Sequence, residues 1–397
     1  MSSEILILYT KGPQELKSRQ SALGSYIASL AKLFFEAGHK VRLNDWSYEE
    51  LFSEEASVGI GMAETSGWRR GFLSLIPRYV KQWLKDLQAI RHADTLSRRL
   101  KEQPAPDLIL DIYTFGSRTG VELAQHWGCP YYMIYDGPVL EEYSFFQGIE
   151  APMGRMAQRR QVEALRHAKG VVVYSDAMVD YVLNLAQLPD QQTLYLHQNV
   201  DFSRFEFCDA KDKPEMQPIH IGFIGSFLPW HRVDLLVKVF ERLRENGYPV
   251  QLHLVGYGLE WPRIQAMVEE SPWRADIHLP GFQDRSELYA TKQQLHIGVV
   301  PSAIWYQAPN KLFEYGAMGI ACLAPPTPTI SYLYQADKEV KFFENNNEEA
   351  LFEALEELVS EPLLIQQMGE AIQQKIRKDY GPDKTLAFYT DMMELGD

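Results

Sequence analysis

Short apolar runs alternate with longer segments of helical periodicity along almost the whole chain of 397 residues. A parallel strand that is buried on both faces reads as a continuous apolar run. The helix that crosses to the next strand instead shows apolar residues three or four positions apart. The alternation therefore predicts parallel sheets covered by helices, an α/β fold.

The alternation occurs twice along the chain. The runs typical of buried strands lie at residues 5–9, 40–43, 108–113, 131–135, 170–174, 193–196, 219–224, 250–255, 277–279, 297–300, 322–324 and 340–343. A polar, irregular stretch at residues 208–218 separates them into two similar halves and resembles an interdomain linker. We expect two doubly wound, Rossmann-like domains at residues 1–208 and 209–378. A ligand would bind in the cleft between them, at the carboxyl ends of the strands.

The charge balance excludes one broad class of partner. Lysine and arginine number 39 against 53 aspartate and glutamate residues, which gives a net charge of −14. Proteins that bind nucleic acid present a basic surface to the phosphate backbone, so we expect no nucleic-acid partner.

Cysteine usage and hydropathy predict the compartment. The 3 cysteines are far apart, without the close pairs of a zinc site or the number that a disulfide framework needs. No run, including the N-terminal one, approaches the roughly 20 apolar residues of a membrane-spanning helix. We expect a cytoplasmic protein that is soluble or at most bound peripherally at the inner membrane surface.

Several familiar cofactor motifs are missing from the sequence. No GxGxxG follows the first strand, and the chain contains no GKS or GKT phosphate loop, no HExxH and no Asp-x-Asp pair. We therefore expect neither a dinucleotide cofactor nor a required metal ion.

The most informative segment is PSAIWYQAPNKLFEYGAMG, residues 301–319. A strand ends in Pro-Ser, and after a loop a helix is expected to begin at Pro309, a residue suited to the first helical position. Free N–H groups of Asn310, Lys311 and Leu312 would favour an anion, with Lys311 adding a full charge. Glu314, one turn later, would accept two hydrogen bonds from a ribose diol. This pattern is typical of a nucleotide-sugar pocket; the alternative is an ordinary amphipathic helix with a surface lysine and glutamate.

The same segment resembles the nucleotide-sugar signature of the retaining glycosyltransferases of family four, which have the GT-B fold. Further stretches match that family in its order along the chain: GHKV at 38–41, AKGVVVYS at 168–175, NVDFSRF at 199–205, GFIGSFLPWHRVDLL at 222–236 and LVGYG at 254–258. The fourth stretch is similar to a subgroup that carries Gly-Ser-x-x-Pro-Trp-His. The similarity covers nearly the whole chain, and the ordered set is more specific than any single motif.

This resemblance implies both an architecture and a site. Two Rossmann-like domains would face each other, and residues 379–397 would form a helix that returns to the first domain. The donor would be a nucleoside diphosphate sugar, and the acceptor would carry a hydroxyl group. The residues implied on the donor side are Gly225, Ser226, His231, Arg232, Gly256, Tyr257, Asn310, Lys311, Leu312 and Glu314.

The chain departs from the family pattern at several of these positions. Many members carry two glutamates eight positions apart, and the first of them falls here at Tyr306. The usual arginine after the glycine turn is Ser226, the usual diphosphate-binding lysine is His231, and Arg232 stands where glycine is common. His231 or Arg232 would still meet the diphosphate, arginine by a bidentate contact. Alternatively, His231 caps or packs ahead of the next helix.

The acceptor side is expected in the first domain, at YDGPVLEE, residues 135–142. Asp136 and Glu141 would bind acceptor hydroxyls or stabilise positive charge at the anomeric carbon, and Gly24 would replace the family's Gly-Gly pair. Acidic residues also suit a helix N-terminus, which is the alternative for Glu142. The resemblance implies that Asp136 and Glu314 are catalytic. It also implies transfer on one face of the sugar, with the leaving phosphate taking the acceptor's proton.

One segment opposes the acidic average. Between Trp68 and Lys101 nine lysine and arginine residues face two aspartates, with aromatic and aliphatic residues between them. Basic amphipathic segments with interfacial aromatics bind anionic membranes, which would suit a lipid-linked acceptor. The alternative, which the pattern favours, is helices with a packed apolar face and a solvated basic face.

The sequence therefore predicts a metal-independent retaining glycosyltransferase of the GT-B fold. A sugar-nucleotide epimerase of the same fold and a degenerate, transferase-like binding protein are the two alternatives. The donor sugar, its base, the acceptor and the oligomeric state are left open.

Overall fold

The computed structural model describes residues 2–9, 16, 22–52, 77–188, 193–197, 207–208 and 216–394. The NVDFSRF motif, residues 209–215 of the linker and residues 68–76 of the basic segment fall outside the described residues. The chain divides into two compact units. The first comprises Met1–Tyr174, Met178–Asn199 and Thr385–Asp397, and the second comprises Ser175–Ala177 and Val200–Lys384.

The first unit is built on a seven-stranded sheet. Its strands are β1 (Glu4–Leu8), β2 (Lys40–Leu43), β3 (Trp46–Ser47), β4 (Leu108–Ile112), β5 (Tyr131–Ile134), β6 (Gly170–Val173) and β7 (Thr193–Leu196). Their order across the sheet is β3-β2-β1-β4-β5-β6-β7. All neighbours are parallel except β2 and β3, so the carboxyl ends of the six longer strands lie along one edge.

The second unit is built on a six-stranded parallel sheet. Its strands are β8 (Ile219–Ile224), β9 (Val250–Val255), β10 (Ile277–Gly281), β11 (Ile297–Val299), β12 (Ala321–Ala324) and β13 (Val340–Phe342). Their order is β10-β9-β8-β11-β12-β13, the doubly wound order in which the chain reverses direction across the sheet beside β8. The loops after β8, β9 and β11 therefore meet at the carboxyl edge.

Helices cover the faces of both sheets. In chain order they are α1 (Ala22–Glu36), α2 (Tyr48–Phe52), α3 (Arg78–Leu100), α4 (Thr119–Trp127), α5 (Val139–Gln147), α6 (Gly154–His167), α7 (Asp176–Ala186), α8 (Val233–Glu245), α9 (Trp261–Glu270), α10 (Arg285–Gln294), α11 (Asn310–Ala317), α12 (Pro328–Leu333), α13 (Glu348–Ser360), α14 (Pro362–Asp379) and α15 (Pro382–Met393).

The last helix completes the core of the first unit. Tyr389, Met392 and Met393 of α15 are buried in the same cluster as Ile7 of β1 and Phe34 of α1. The Tyr389 hydroxyl also lies 2.8 Å from the Tyr26 hydroxyl of α1. The return of the C-terminal helix to the first unit, expected from the sequence, is therefore confirmed.

The alternation of strands and helices is confirmed as well, and every expected strand is present. Three short elements are additional: β3, α2 and α12. They escape the periodicity argument because each has at most six residues, and α12 lies within a proline-rich stretch. Among the described helices, none combines the length and apolarity needed to cross a bilayer.

Candidate functional site

The helix that carries the candidate anion site, α11, is fixed to the second sheet by Tyr315. Its phenol oxygen accepts a hydrogen bond from the Ile224 N–H of β8 at 2.8 Å, and the residue is fully buried. Its ring packs against Gly298 of β11, where an added Cβ would lie 2.3 Å from the ring. The absence of a side chain at position 298 thus lets α11 approach the sheet closely.

The N-terminus of α11 differs from the expectation in two details. The helix begins at Asn310, and Pro309 precedes it in an extended conformation. The Leu312 N–H donates to the Pro309 carbonyl at 2.9 Å, so the expected free donor at Leu312 is wrong. The N–H groups of Asn310 and Lys311 have no hydrogen-bond acceptor within the described part of the chain. These two N–H groups can therefore donate hydrogen bonds to an anion.

The Lys311 side chain crosses the glycine turn after β8. Its Cε would lie 3.2 Å from a Cβ added to Gly225, and its Nζ lies 5.0 Å from the centre of the Phe223 ring. Desolvation of the ammonium group lowers the pKa of Lys311 to about 8, although the nearby charge of Glu314 partly opposes this. A desolvated cation beside two free N–H groups favours a ligand with negative charge.

The Glu314 carboxylate is held by a lysine that the sequence analysis did not single out. Lys292 of α10 places its Nζ 3.6 Å from Glu314 Oε2, and both side chains are buried, with exposures of 4% and 12%. The Glu314 carboxylate is thus an acceptor whose position Lys292 helps to fix, as the ribose role requires. No signal in the sequence links these two positions, because their helices meet only in the folded unit.

The two glycine turns at the sheet edge pack backbone against backbone. A Cβ on Gly256 would lie 1.9 Å from the Gly225 carbonyl oxygen, and one on Gly258 would lie 2.4 Å from that of Phe227. Gly225 and Gly256 also adopt φ angles of +149° and +136°, which side chains disfavour. Between the two glycines Tyr257 projects outward and is 61% exposed. The turns after β8 and β9 therefore form one rigid wall beside Lys311.

His231 supports this wall as a neutral ring. Its Nδ1–H donates to the Ser226 carbonyl at 2.6 Å, which fixes the proton on Nδ1 and leaves Nε2 as an acceptor. Burial, with the positive charge of Lys311, lowers the pKa of His231 to about 3, although the Ser226 carbonyl opposes this. The geometry favours the packing interpretation, because a neutral imidazole adds no charge for a diphosphate.

Arg232 is engaged with its own helix. Its guanidinium contacts both carboxylate oxygens of Asp234 at 3.0 and 3.2 Å, and the Asn346 side chain at 3.3 Å. Arg263 binds the same carboxylate. Burial of Asp234 opposes ionisation, but the two arginines outweigh it and hold the pKa of this carboxyl below its usual range. In this structure Arg232 therefore points to Asp234 rather than to Lys311.

Tyr306, at the position of the family's first glutamate, is a packing residue. It is 3% exposed, and its ring meets Trp305 edge to face with centroids 5.3 Å apart. The Trp305 carbonyl accepts a hydrogen bond from the Thr329 hydroxyl at 3.2 Å. These contacts fix the loop between β11 and α11, and the only carboxylate that this segment brings to Lys311 is Glu314.

In the first unit, Asp136 follows β5 at the carboxyl edge of the sheet. Tyr174 directly follows β6, and its hydroxyl donates a hydrogen bond to Asp136 Oδ1. Asp136 also lies near Tyr26, whose pKa is raised by burial and then by Tyr389, Tyr174 and Asp136. The carboxylate is thus held by tyrosines at the edge where α/β sheets bind ligands.

Glu141 and Gly24 occupy different surroundings. Glu141 is exposed in the first turn of α5 and hydrogen-bonds to Tyr181 of α7, whose pKa is raised to about 12 mainly by burial. Gly24 is buried in the first turn of α1. The structure therefore places Asp136 and Glu141 with separate tyrosine partners.

The second unit thus presents a cation, two free N–H groups and a carboxylate at the start of α11. This set can hold a negatively charged group at the start of α11 and a diol beside Glu314. Within the described residues, no three histidine, cysteine, aspartate or glutamate side chains gather as a metal site requires.

Residues 205–375 match the model of the protein family described as "Glycosyl transferases group 1". A curated relative, the putative colanic acid biosynthesis glycosyltransferase WcaL of Escherichia coli (strain K12), is 22% identical over 172 residues. The aligned part is 42% of this chain and 42% of that relative. The family match includes α11 and every residue of the candidate anion site.

Solved structures resemble the chain over nearly its full length. Sucrose-phosphate synthase from Thermosynechococcus elongatus has a TM-score of 0.73 at 16% identity, covering 99% of this chain and 98% of that one. HepE from Anabaena, in complex with UDP and glucose, has a TM-score of 0.68 at 12% identity, covering 99% of each chain. The chain spans only 59% of S. aureus TarM, with a TM-score of 0.59 at 16% identity. These likenesses confirm the GT-B fold.

Proposed function

We propose that this chain is a group 1 glycosyltransferase. It transfers a sugar from a nucleoside diphosphate sugar to a hydroxyl group, with retention of anomeric configuration and without a metal ion. The observation that carries the proposal is the start of α11, where the desolvated ammonium group of Lys311 lies beside two free N–H groups. The family match over residues 205–375 and the UDP-bound structure of HepE support a nucleotide-sugar donor.

In this proposal the second unit binds the donor through its diphosphate and through its ribose. The diphosphate accepts hydrogen bonds from the N–H groups of Asn310 and Lys311, and its charge is balanced by the Lys311 ammonium group. The ribose hydroxyls donate to Glu314, which Lys292 orients. The wall formed by Gly225, Gly256 and His231 keeps Lys311 in place.

The transfer step needs stabilisation of the leaving group more than a dedicated base. The bond from the anomeric carbon to the diphosphate oxygen breaks, and the acceptor oxygen bonds to that carbon on the same face. The acceptor's proton passes to the leaving phosphate. Lys311 and the helix N-terminus stabilise the negative charge that develops on the diphosphate, which is where electrostatic catalysis acts. Asp136 is proposed to work on the sugar or acceptor side.

Calorimetric titration with UDP, GDP and ADP tests the donor site. The chain is expected to bind one of these tightly, and Glu314→Ala is expected to abolish that binding because the ribose diol loses its acceptor. Glu357→Ala serves as the control, since Glu357 pairs with Lys341 on the surface of the same unit. An unchanged nucleotide affinity in Glu314→Ala would contradict the assignment.

Product analysis then separates the reactions. With the preferred donor and a panel of hydroxyl acceptors, NMR is expected to show the donor's anomeric configuration in the product, and the rate is expected to persist in EDTA. Isomerised donor in the absence of acceptor would instead identify an epimerase. Donor binding without turnover on any acceptor would indicate a binding protein, which Tyr306 and Ser226 would then explain.

A further inference from the structure

The long helix α3 has two halves with different surroundings. In its C-terminal half Ile90, Ala93, Leu96 and Leu100 are buried within the first unit. In its first turns the apolar residues are left exposed, between 41% and 56%, at Tyr79, Val80, Trp83 and Leu84. The ordinary interpretation of a packed amphipathic helix therefore holds only for the second half of α3. The first half presents aromatic and aliphatic side chains that need another explanation.

Two of these exposed residues, Tyr79 and Trp83, line a groove of about 960 Å³ in the first unit. Tyr79 and Trp83 form one wall, and α5 with the loop at residues 150–153 forms the other. Phe145 of α5 is 51% exposed and adds a third aromatic ring to the groove. Three aromatic rings at one opening make a surface that is apolar at its centre.

Several cations lie on the helices that border the groove, although the whole chain carries −14. Arg155 lines the groove, Arg78, Lys81 and Lys85 lie in the first turns of α3, and Arg159 lies one turn beyond Arg155 on α6. The carboxylates in the groove are Glu141 and Glu150, while that of Asp86 accepts a hydrogen bond from the Tyr143 hydroxyl. These five cations of α3 and α6 outnumber the two carboxylates that line the groove, Glu141 and Glu150.

We propose that this face, named here the α3–α6 surface, docks on an anionic phospholipid bilayer. Its defining residues are Arg78, Tyr79, Lys81, Trp83, Lys85, Phe145, Arg155 and Arg159. Trp and Tyr side chains settle at the boundary between headgroups and acyl chains, while Lys and Arg stems reach lipid phosphates. An acidic protein patch would satisfy the cations but would leave the exposed rings without an apolar partner. The proposal does not depend on the proposed glycosyl transfer.

Sedimentation of the full chain with phosphatidylcholine vesicles, with and without phosphatidylglycerol, tests the proposal. Binding is expected only to the anionic vesicles and is expected to weaken with salt. Lys81→Gln with Lys85→Gln is expected to lower the partition coefficient roughly 25-fold, at about fivefold for each cation. Tyr79→Ser with Trp83→Ser is expected to lower it at least as far, whereas Trp83→Phe retains binding.

Lys378→Gln and Leu363→Ser are the matched controls, because both residues are exposed on α14 of the second unit. Both are expected to bind vesicles like the parent chain, and circular dichroism verifies that every variant is folded. Equal binding to neutral and anionic vesicles, or unchanged binding in the two double variants, overturns the proposal. A dimer in light scattering that Trp83→Ser dissociates also overturns it, since a second copy would then cover the face.

Discussion

The ammonium group of Lys311 occupies space that a side chain at Gly225 would close, and it lies over the Phe223 ring. Its lowered pKa, about 8, makes nucleotide binding depend on pH in a range where most lysines stay charged. A bound diphosphate favours the protonated amine. The affinity is therefore highest below pH 8 and falls as the pH rises through that value and the charge is lost.

Replacing Lys311 by methionine is expected to weaken nucleoside diphosphate binding roughly 10- to 100-fold, the usual contribution of hydrogen bonds to a charged group. The variant is also expected to lose the decline in affinity between pH 7 and pH 9. Calorimetry at several pH values measures both effects, with Lys378→Met as the control. A variant that keeps the parent's pH profile would show that another group titrates.

Lys292 acts through Glu314, so its removal is expected to change selectivity more than overall binding. Without the 3.6 Å ion pair the carboxylate loses its fixed orientation toward the ribose diol. In Lys292→Met we expect the preferred nucleotide to lose most of its advantage over its 2′-deoxy analogue. Lys341→Met removes another ion-paired lysine elsewhere in the unit and is expected to keep the ratio. An unchanged ratio in Lys292→Met would restrict Lys292 to a structural role.

The two glycine turns hold the loops after β8 and β9 together by direct contact between their backbones. Gly256→Ala places a methyl group 1.9 Å from the Gly225 carbonyl oxygen at a φ of +136°, so the two turns must separate. We expect a loss of about 3 kcal/mol or more in the free energy of unfolding, together with weaker nucleotide binding. Gly247→Ala has a φ of +84° but no neighbour within 4 Å, and is expected to cost only about 1 kcal/mol.

Urea unfolding, followed by circular dichroism, measures both variants. If Gly256→Ala were no less stable than Gly247→Ala, the backbone contact between the turns would not be tight.

The helices and strands of the structure show how far their positions can be predicted from the sequence alone. The alternation of strand-like and helix-like segments predicts the strands, and β2, β7, β8 and β9 have the predicted bounds. The sequence predicts a helix start at Pro309 and a free N–H at Leu312, whereas in the structure that N–H donates to the Pro309 carbonyl, a contact that residue types do not reveal. The sequence predicts that Lys311 and Glu314 lie close together, because they share one helix. It does not predict the position of Lys292, because its pairing with Glu314 joins two helices that are distant in sequence.

The whole molecule is expected to lose stability in mild acid through buried histidines. Burial, followed by the charges of His278, His220 and His296, lowers the pKa of His253 to about 3, and His231 behaves similarly. An unfolded histidine takes up a proton near pH 6.5, whereas these folded ones stay neutral. The unfolded state thus binds more protons, so stability falls as the pH drops below 6.5 and continues to fall toward 3.

Each of these two histidines is expected to remove about 2 kcal/mol of unfolding free energy between pH 7 and pH 5. Urea titrations across this range measure the slope, and His253→Gln is expected to flatten it whatever its effect on absolute stability. A slope that is identical in parent and variant would show that His253 titrates normally in the folded protein.

The placement of α15 has a consequence for how the chain is made. Most of the first unit precedes the second unit in the chain, yet its core includes Tyr389, Met392 and Met393, which follow the second unit. The second unit is one continuous segment, Val200–Lys384, apart from Ser175–Ala177. All of its strands are translated before α15. During synthesis the second unit can therefore fold before the first unit is complete. Until α15 is translated, part of the apolar core of the first unit stays uncovered.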